Sequence, residues 1–169
     1  MKSKRLLLIL TGLLIALVIN SCKKSGASPI SALFTGGYWE LASVQVTYYT
    51  GNSADSTITL DSACTLKQSF TFNANNTCTY TNFDCIQQTT AAAQWSLSSN
   101  QVFLMADVVC KDTSAAGSSM PFAYASIQTL GQFSLVLLTG DIQPNYSLTA
   151  KRKTIQYGFI RQKNADGTD

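Results

Sequence analysis

The chain has 169 residues, of which 46% are hydrophobic and 12% are charged, and this length suits one domain with a substantial core. It contains no histidine, which excludes histidine-dependent catalytic triads, histidine metal sites and the commonest general base of enzymes. The formal net charge of +3 comes from the first 21 residues, so it is no evidence that the rest of the chain binds nucleic acid.

Residues 1–21 have the pattern of an export signal. A positive start of three basic residues precedes fourteen uncharged residues, from Leu6 to Ile19. A bilayer takes about 20 apolar residues to span, so this run is too short to cross comfortably and has the size of a signal peptide's apolar region. Two small polar residues and then Cys22 follow.

The stretch "VINSC", residues 18–22, resembles the signal of a bacterial lipoprotein. In that family the cysteine becomes the first residue of the mature chain and carries lipid. The resemblance implies a signal peptide over residues 1–21, lipidation of Cys22, for instance by palmitate, and attachment to a membrane. The alternative is an uncleaved anchor helix with a chance cysteine.

The stretch "CKKSG", residues 22–26, helps to predict which face of the membrane the protein occupies. Bacteroidetes lipoproteins sent to the cell surface usually carry acidic residues shortly after the cysteine, and here two lysines follow instead. Lys23 also differs from the aspartate that retains lipoproteins in the inner membrane of enteric bacteria. The resemblance therefore implies an outer-membrane lipoprotein on the periplasmic face rather than the cell surface.

After the signal, residues 22–32 are predicted to be the lipidated cysteine and a short tether, because they are rich in Ser, Gly and Pro. One short helical turn is expected over residues 31–36. From Tyr38 onward β-branched and aromatic residues dominate and turn signals recur at short intervals, which is typical of a sandwich or barrel. The predicted strands are 38–49, 56–60, 66–72, 77–83, 92–97, 101–109, 121–129, 133–139 and 154–162. A flexible loop is predicted over 113–120, "TSAAGSSM".

Two predicted strands depart from simple alternation. Trp39 alternates out of phase with Val44 and Val46, which predicts a bulge near residues 42–43. The strand over 101–109 is apolar on both faces, yet Asp107 lies within it. This carboxylate is expected to point to solvent, and the alternative is an arginine partner inside the fold.

The number of short strands predicts a closed sheet. Closing an antiparallel sheet into a barrel removes exposed strand edges. Eight strands leave an interior that side chains fill or that holds one small ligand. We therefore predict an all-β fold, an antiparallel up-and-down barrel of eight to nine strands.

Three stretches resemble the lipocalin-like domains of Bacteroidetes lipoproteins. They are "GGYWELASV" (36–44), "CTLKQSFTFNANNTCTYTNFDC" (64–85) and "AAAQWSLSSNQVFLM" (91–105). The second departs from the family in its Asn-rich turn, and the third has Gln94 where the family often has glycine. The resemblance implies a lipocalin-like β-barrel domain over residues 33–169.

The lipocalin resemblance also implies roles for individual residues. Gly37 and Trp39 match the Gly-x-Trp opening strand of lipocalins. In that family a basic residue late in the last strand often packs over the opening tryptophan, and Arg161 is the candidate here. These three residues are expected to close the barrel.

Four cysteines remain if Cys22 is lipidated, and an exported chain permits disulfides between them. A turn over residues 73–76 pairs residues whose numbers add to 149, which places Cys64 opposite Cys85 and predicts a disulfide. Cys78 is predicted to be a buried thiol, and Cys110 is an alternative partner for Cys85. Cys78 and Cys110 are expected about 20 Å apart, beyond disulfide reach. No metal site is predicted, because the chain lacks histidine and C-x-x-C spacing.

The charged residues give little sign of chemistry. Most carboxylates fall in predicted turns, where acidic residues are ordinary, and no nucleophile or nucleotide-binding motif is present. No catalytic residue and no cofactor are therefore predicted. Five basic residues cluster near the end of the chain and are expected on a solvated hairpin: Lys151, Arg152, Lys153, Arg161 and Lys163. Lipid phosphates or an acidic partner are the alternative contacts for them.

Two functions follow from these predictions. The first is a membrane-anchored barrel that binds a small apolar ligand without catalysis. Its cavity candidates are the aromatic residues Trp39, Phe70, Phe72, Tyr80, Trp95, Tyr124 and Tyr157. The alternative is a barrel filled by these side chains, which acts as a structural or protein-interaction module of the cell envelope.

Overall fold

The computed structural model describes residues 28–60 and 64–163. The predicted signal peptide and Cys22 lie outside these residues. Within them, a helix α1 (Pro29–Thr35) comes first and strands follow. The strands are β1 (Tyr38–Thr50), β2 (Ser53–Leu60), β3 (Ser69–Phe72), β4 (Thr77–Thr81), β5 (Ala91–Leu97), β6 (Phe103–Ala106), β7 (Cys110–Lys111), β8 (Ser118–Ser119), β9 (Ala125–Leu130), β10 (Ser134–Gly140) and β11 (Lys151–Gln162). No helix among the described residues is long and apolar enough to cross a membrane.

Eight strands form a closed antiparallel barrel. Their order is β11, β10, β9, β6, β5, β4, β3 and β1, and β1 pairs back with β11 to close the circle. Strand β2 extends the same sheet beside β1, while β7 and β8 form a separate short hairpin. The predicted all-β barrel of eight to nine strands, lipocalin-like in architecture, is confirmed.

Strand β1 is long enough to have two neighbours on one side. Its first residues, Tyr38–Glu40, pair with β3, and its later residues, Val44–Thr50, pair with β2. All eight residues of β2 are exposed. The second edge of β2 has no strand partner among the described residues, so barrel closure leaves one strand edge open.

The antiparallel order gives the barrel two ends with different connections. The lower end carries α1 and the turns at 73–76, 98–102 and 131–133. The upper end carries the connections at 51–52, 82–90, 107–124 and 141–150, and residues 64–68 enter β3 from this end.

Helix α1 covers the lower end. It begins at Pro29, where proline needs no hydrogen-bonded N–H, and the Ser28 hydroxyl accepts a capping bond from the Ser31 N–H at 3.1 Å. Phe34 of this helix is completely buried, with ring centroids 4.9 Å from Phe72 and 5.5 Å from Trp95. The predicted helical turn therefore starts two residues earlier, and the predicted tether over 22–32 overlaps a helix that packs on the core.

The register of the β3–β4 hairpin differs by one residue from the prediction. Ser69 pairs with Thr81 and Phe72 with Cys78, so paired residue numbers add to 150 and not to 149. The cause is a three-residue loop in which Asn76 adopts a left-handed backbone conformation with φ of 64°. Asparagine tolerates this conformation better than most residues do, and with it the loop closes over three residues, 74–76, one fewer than the predicted turn over 73–76.

Three further expectations have clear outcomes. The bulge predicted near residues 42–43 is confirmed by a register shift between Leu41 and Ser43. The strand predicted over 101–109 is shorter and spans Phe103–Ala106, although the Asp107 N–H still donates to the Gln94 carbonyl in β5 at 3.2 Å. The predicted flexible loop over 113–120 contains β8, which pairs with β7.

Candidate functional site

The predicted barrel-closing residues meet at the lower end. Trp39 is completely buried, and its indole Nε1 donates a hydrogen bond to the Phe34 carbonyl at 3.0 Å. Arg161 is its cross-strand neighbour on β11, and the guanidinium carbon lies 4.5 Å from the Trp39 ring centroid. This cation–π contact ties the first strand of the barrel to the last one and to the helix below them.

The backbone of Gly37 lies against the backbone of Gln162 at this end of the barrel. Its φ of 120° is unfavourable for residues with a side chain, and an added Cβ would lie 2.5 Å from the Gln162 carbonyl oxygen. We expect Gly37→Ala to lower the free energy of unfolding by about 2–3 kcal/mol, because backbone strain and a backbone clash add. Urea denaturation of the purified protein measures this loss.

Gly117→Ala is the matched control. Gly117 also has a positive φ, of 71°, but nothing lies within 4 Å of its added Cβ. It should cost only the conformational strain of about 1 kcal/mol. Equal losses for the two variants would show that the Gly37–Gln162 contact does not hold the lower end.

The interior buries six of the seven cavity candidates, and four of them pack ring against ring: Phe70, Phe72, Tyr80 and Trp95. Phe70 is the centre, with ring centroids 4.1 Å from Phe72, 5.2 Å from Tyr80 and 4.9 Å from Phe122. Each of the six candidates is at most 5% exposed: Trp39, Phe70, Phe72, Tyr80, Trp95 and Tyr157. Aromatic rings with centroids this close are in direct contact, so these side chains fill the part of the barrel interior that they occupy.

Tyr124 is the exception, and its prediction as a cavity residue is wrong. It is 51% exposed and stacks on Phe103 with centroids 4.6 Å apart. Residues 121–124 form a turn before β9, so the alternation assumed for a strand does not hold there. Phe122 takes the interior position instead and is completely buried.

One polar atom in this core stands out. The Tyr80 hydroxyl is buried and has no hydrogen-bond partner among the described residues. Burial raises the pKa of Tyr80 well above its usual range, and burial likewise raises the pKa of Tyr157. Both phenols are therefore neutral at physiological pH.

The predicted disulfide between Cys64 and Cys85 is present, with the two Cα atoms 5.5 Å apart. It joins the segment that enters β3 to the short 3-10 turn Phe83–Cys85 that follows β4. The bond forms in spite of the shifted hairpin register, because both cysteines lie outside the regular ladder. Three residues beside it have a positive φ, and these are Asn82, Asp84 and Cys85 itself.

Cys78 and Cys110 are free and buried. The Cys78 thiol donates to the Gln94 carbonyl at 3.7 Å. Burial raises the pKa of each thiol to about 12, and the electrostatic influence of Cys78 also contributes to the shift of Cys110. The two thiols therefore lie closer together than the expected separation of about 20 Å, which assumed opposite ends of a long strand. The prediction of Cys78 as a buried thiol is confirmed, and Cys85 is bonded to Cys64 rather than to Cys110.

The burial of Cys78 and Cys110 predicts how these two thiols react with an alkylating reagent. An ordinary thiol with a pKa of about 8.5 is half ionised at pH 8.5, and only the thiolate reacts. We expect Cys78 and Cys110 to resist iodoacetamide at pH 8.5 in the folded protein and to react in denaturant. Peptide mass spectrometry after labelling identifies the modified residues. Labelling of either one in the native protein, or of neither one after unfolding, would contradict the assignment.

The basic residues near the end of the chain do not form one cluster. Lys151, Arg152 and Lys153 begin β11 at the upper end, whereas Arg161 and Lys163 lie at the lower end.

Asp107 is exposed, as expected, and its Oδ1 accepts a bond from the Gln94 N–H at 2.7 Å.

Arg152 is the centre of an aromatic cluster at the upper end that was not predicted in detail. Its guanidinium carbon lies 4.1 Å from the Tyr49 ring centroid and 4.0 Å from that of Tyr146. Its Nε donates to the Gly51 carbonyl at 2.8 Å. Arg152 therefore fastens the 141–150 connection to the β1–β2 turn.

A surface pocket of about 500 Å3 lies beside this cluster. Its charged groups largely neutralise one another. Lys151 forms a salt bridge with Asp55 at 3.3 Å, and the Thr50 hydroxyl bonds to the same carboxylate and lowers its pKa. The lining residues are Tyr48, Tyr49, Asp55, Ser56, Asp141, Lys151, Arg152 and Lys153.

Strand β2 adds an apolar surface to the upper end. Val46 pairs with Ile58 and Val44 with Leu60, so these side chains share the sheet face on which Val46 is buried. Ile58 is 49% exposed and Leu60 48%. With Tyr48, which is 40% exposed on the same face, they form what we call the β2 patch.

Comparisons of the chain with models of protein families, with curated proteins and with solved structures find no match. The case for a function therefore depends on the residues and geometry described above.

Proposed function

We propose that this protein is a lipid-anchored, non-catalytic barrel of the bacterial cell envelope that binds a protein partner along β2. The observation that carries the proposal is the open edge of β2, eight exposed residues long, beside the β2 patch. The packed aromatic interior supports the proposal. The cavity candidates Phe70, Phe72 and Tyr80 contact other aromatic rings and so fill the space that a ligand would need.

An open strand edge has a specific chemistry. Its unpaired N–H and C=O groups accept an extended segment of another chain, and pockets for alternate side chains add specificity. Ile58 and Leu60 point to the same face, two residues apart, as the alternate side chains of a strand do. Asp55, the only charged residue of β2, already has Lys151 as its partner. We therefore expect the partner to offer an extended segment with alternate apolar residues.

Site-specific photo-crosslinking in the native cells tests this partner. A photoreactive amino acid at Thr59 in β2 should give a crosslinked product of one defined mass. The same amino acid at Gln128, exposed on β9, is the matched control and should give none. Identical products at both positions, or none at either, would overturn the proposal. A product of twice the chain's mass would mean that the partner is a second copy.

The anchor is a separate part of the proposal. We infer from the lipoprotein-like signal that lipid on Cys22 holds the barrel on the periplasmic face of the outer membrane. Metabolic labelling with a palmitate analogue should mark the wild-type chain and not Cys22→Ser. Protease added to intact cells should leave the protein uncut, and digestion there would place it on the cell surface.

A small apolar ligand in the barrel is the second candidate. The buried Tyr80 hydroxyl favours it, because a guest with one hydrogen-bond acceptor would satisfy that donor. Native mass spectrometry of protein purified gently from its own membrane tests this. A retained small molecule that Tyr80→Phe releases would support the candidate, and protein of bare chain mass plus anchor would count against it.

A further inference from the structure

We propose that the lower end of the barrel lies on the bilayer surface, with Phe133, Ile160 and Val102 as its lipid-contacting side chains. This proposal rests on the proposed function, because it requires lipid on Cys22. It adds a membrane-contacting surface to the anchored domain and gives the domain an orientation.

The length of the tether places the lower end near the lipid. Cys22 and Ser28 are six residues apart, and six extended residues span at most about 22 Å. Ser28 caps α1 and helps line a surface pocket with Asn76 and Gln101, from two of the lower turns. A 100-residue domain has a radius of gyration of about 13 Å, so this tether leaves no room for another globular domain between barrel and membrane.

Exposed apolar side chains lie at this end. Phe133, in the β9–β10 turn, is 65% exposed, and Ile160 is 50% exposed. The two are neighbours, since the Arg161 N–H donates to the Phe133 carbonyl at 3.0 Å. Val102, in the β5–β6 turn, is 45% exposed, and its carbonyl accepts from the Ile127 N–H on β9. These side chains therefore lie along the lower end of one wall of the barrel, from β6 to β11.

The described carboxylates favour the same orientation. Five of the six lie in or beside the upper connections: Asp55, Asp84, Asp107, Asp112 and Asp141. The sixth, Glu40, lies at the lower end of β1 opposite Ile160, where its charge is balanced by a salt bridge with Lys67 at 3.3 Å. None of the three lower turns, at 73–76, 98–102 and 131–133, contains a carboxylate. At the upper end these five carboxylates face four cations, which are Lys111, Lys151, Arg152 and Lys153, whereas at the lower end Arg161 and Lys163 outnumber Glu40. An anionic lipid surface therefore favours the lower end, by a small difference in charge.

Fluorescence quenching by brominated lipid tests the contact. Phe133→Trp is made in the full chain, purified from membranes and shown by mass spectrometry to carry lipid on Cys22. It is then placed in vesicles of phosphatidylcholine and phosphatidylglycerol, with or without bromine at the top of the acyl chains. We expect the added emission to fall by about half with bromine, because an interfacial side chain enters about 5–10 Å into the headgroup and acyl boundary.

Leu148→Trp is the matched control. Leu148 is 85% exposed in the 141–150 connection at the upper end, so its added tryptophan should keep its emission. The native Trp39 and Trp95 are buried, and the wild-type signal is subtracted. No quenching of Phe133→Trp, or equal quenching of both variants, overturns the docking surface and leaves the anchor intact. Absence of lipid on Cys22 overturns both proposals.

Discussion

Phe70→Ala lowers the free energy of unfolding by about 3–5 kcal/mol, the expected cost of removing a packed aromatic ring from a core. Phe70 is completely buried and contacts rings of β3, β4 and the turn before β9. The variant loses these contacts and leaves a cavity that the closed barrel cannot collapse around. Urea denaturation followed by the fluorescence of the two buried tryptophans measures the loss.

The same substitution at Phe133 is the control for Phe70→Ala. Phe133 is 65% exposed, so its truncation should change the free energy of unfolding by less than about 0.5 kcal/mol. A loss below about 1 kcal/mol for Phe70→Ala would mean that the rings do not fill the interior, and the small-ligand candidate would then gain support.

Replacing both Cys64 and Cys85 by alanine is expected to lower the free energy of unfolding by about 2–4 kcal/mol. The disulfide closes a loop between residues 21 apart in sequence, and without it the unfolded chain regains conformational freedom. The bond also holds the segment that returns from β2 to β3. Denaturant titration of the double variant beside the wild type measures the effect.

A reductant supplies the control for the disulfide. Dithiothreitol should destabilise the wild-type protein by the same amount as the double substitution and should leave the double variant unchanged. A wild-type protein whose stability does not respond to the reductant would show that the Cys64–Cys85 bond contributes nothing to folding.

Much of the fold could be predicted, because its signals are local. The strands and the barrel were predicted from alternating apolar residues and from turn residues at short intervals. The bulge was predicted because Trp39 alternates out of phase with Val44. The disulfide was predicted correctly from a register that was wrong by one residue. The error arose at Asn76, whose left-handed conformation closes a three-residue loop, and spacing alone does not distinguish loops of two, three or four residues.

The candidate site was less predictable, because it depends on contacts between distant parts of the chain. Alternation placed Tyr124 in the interior, and the turn before β9 replaced it with Phe122. The aromatic residues were predicted to line or fill the barrel, and only the ring spacings distinguish these outcomes. Arg152 looked like one of five clustered cations, and the fold places it between two tyrosines far from Arg161.

The sequence by itself determined the strand-rich pattern, the absence of histidine chemistry and the cysteine pair that forms the disulfide. These properties depend on residue type and short-range spacing, which the chain carries before it folds. The tertiary structure alone decided that β3 replaces β2 as the lower neighbour of β1, and so left one edge open. It also placed five of the six described carboxylates in or beside the upper connections. Both outcomes depend on which strands pair, and long-range pairing is set by the packing of the whole barrel rather than by any one segment.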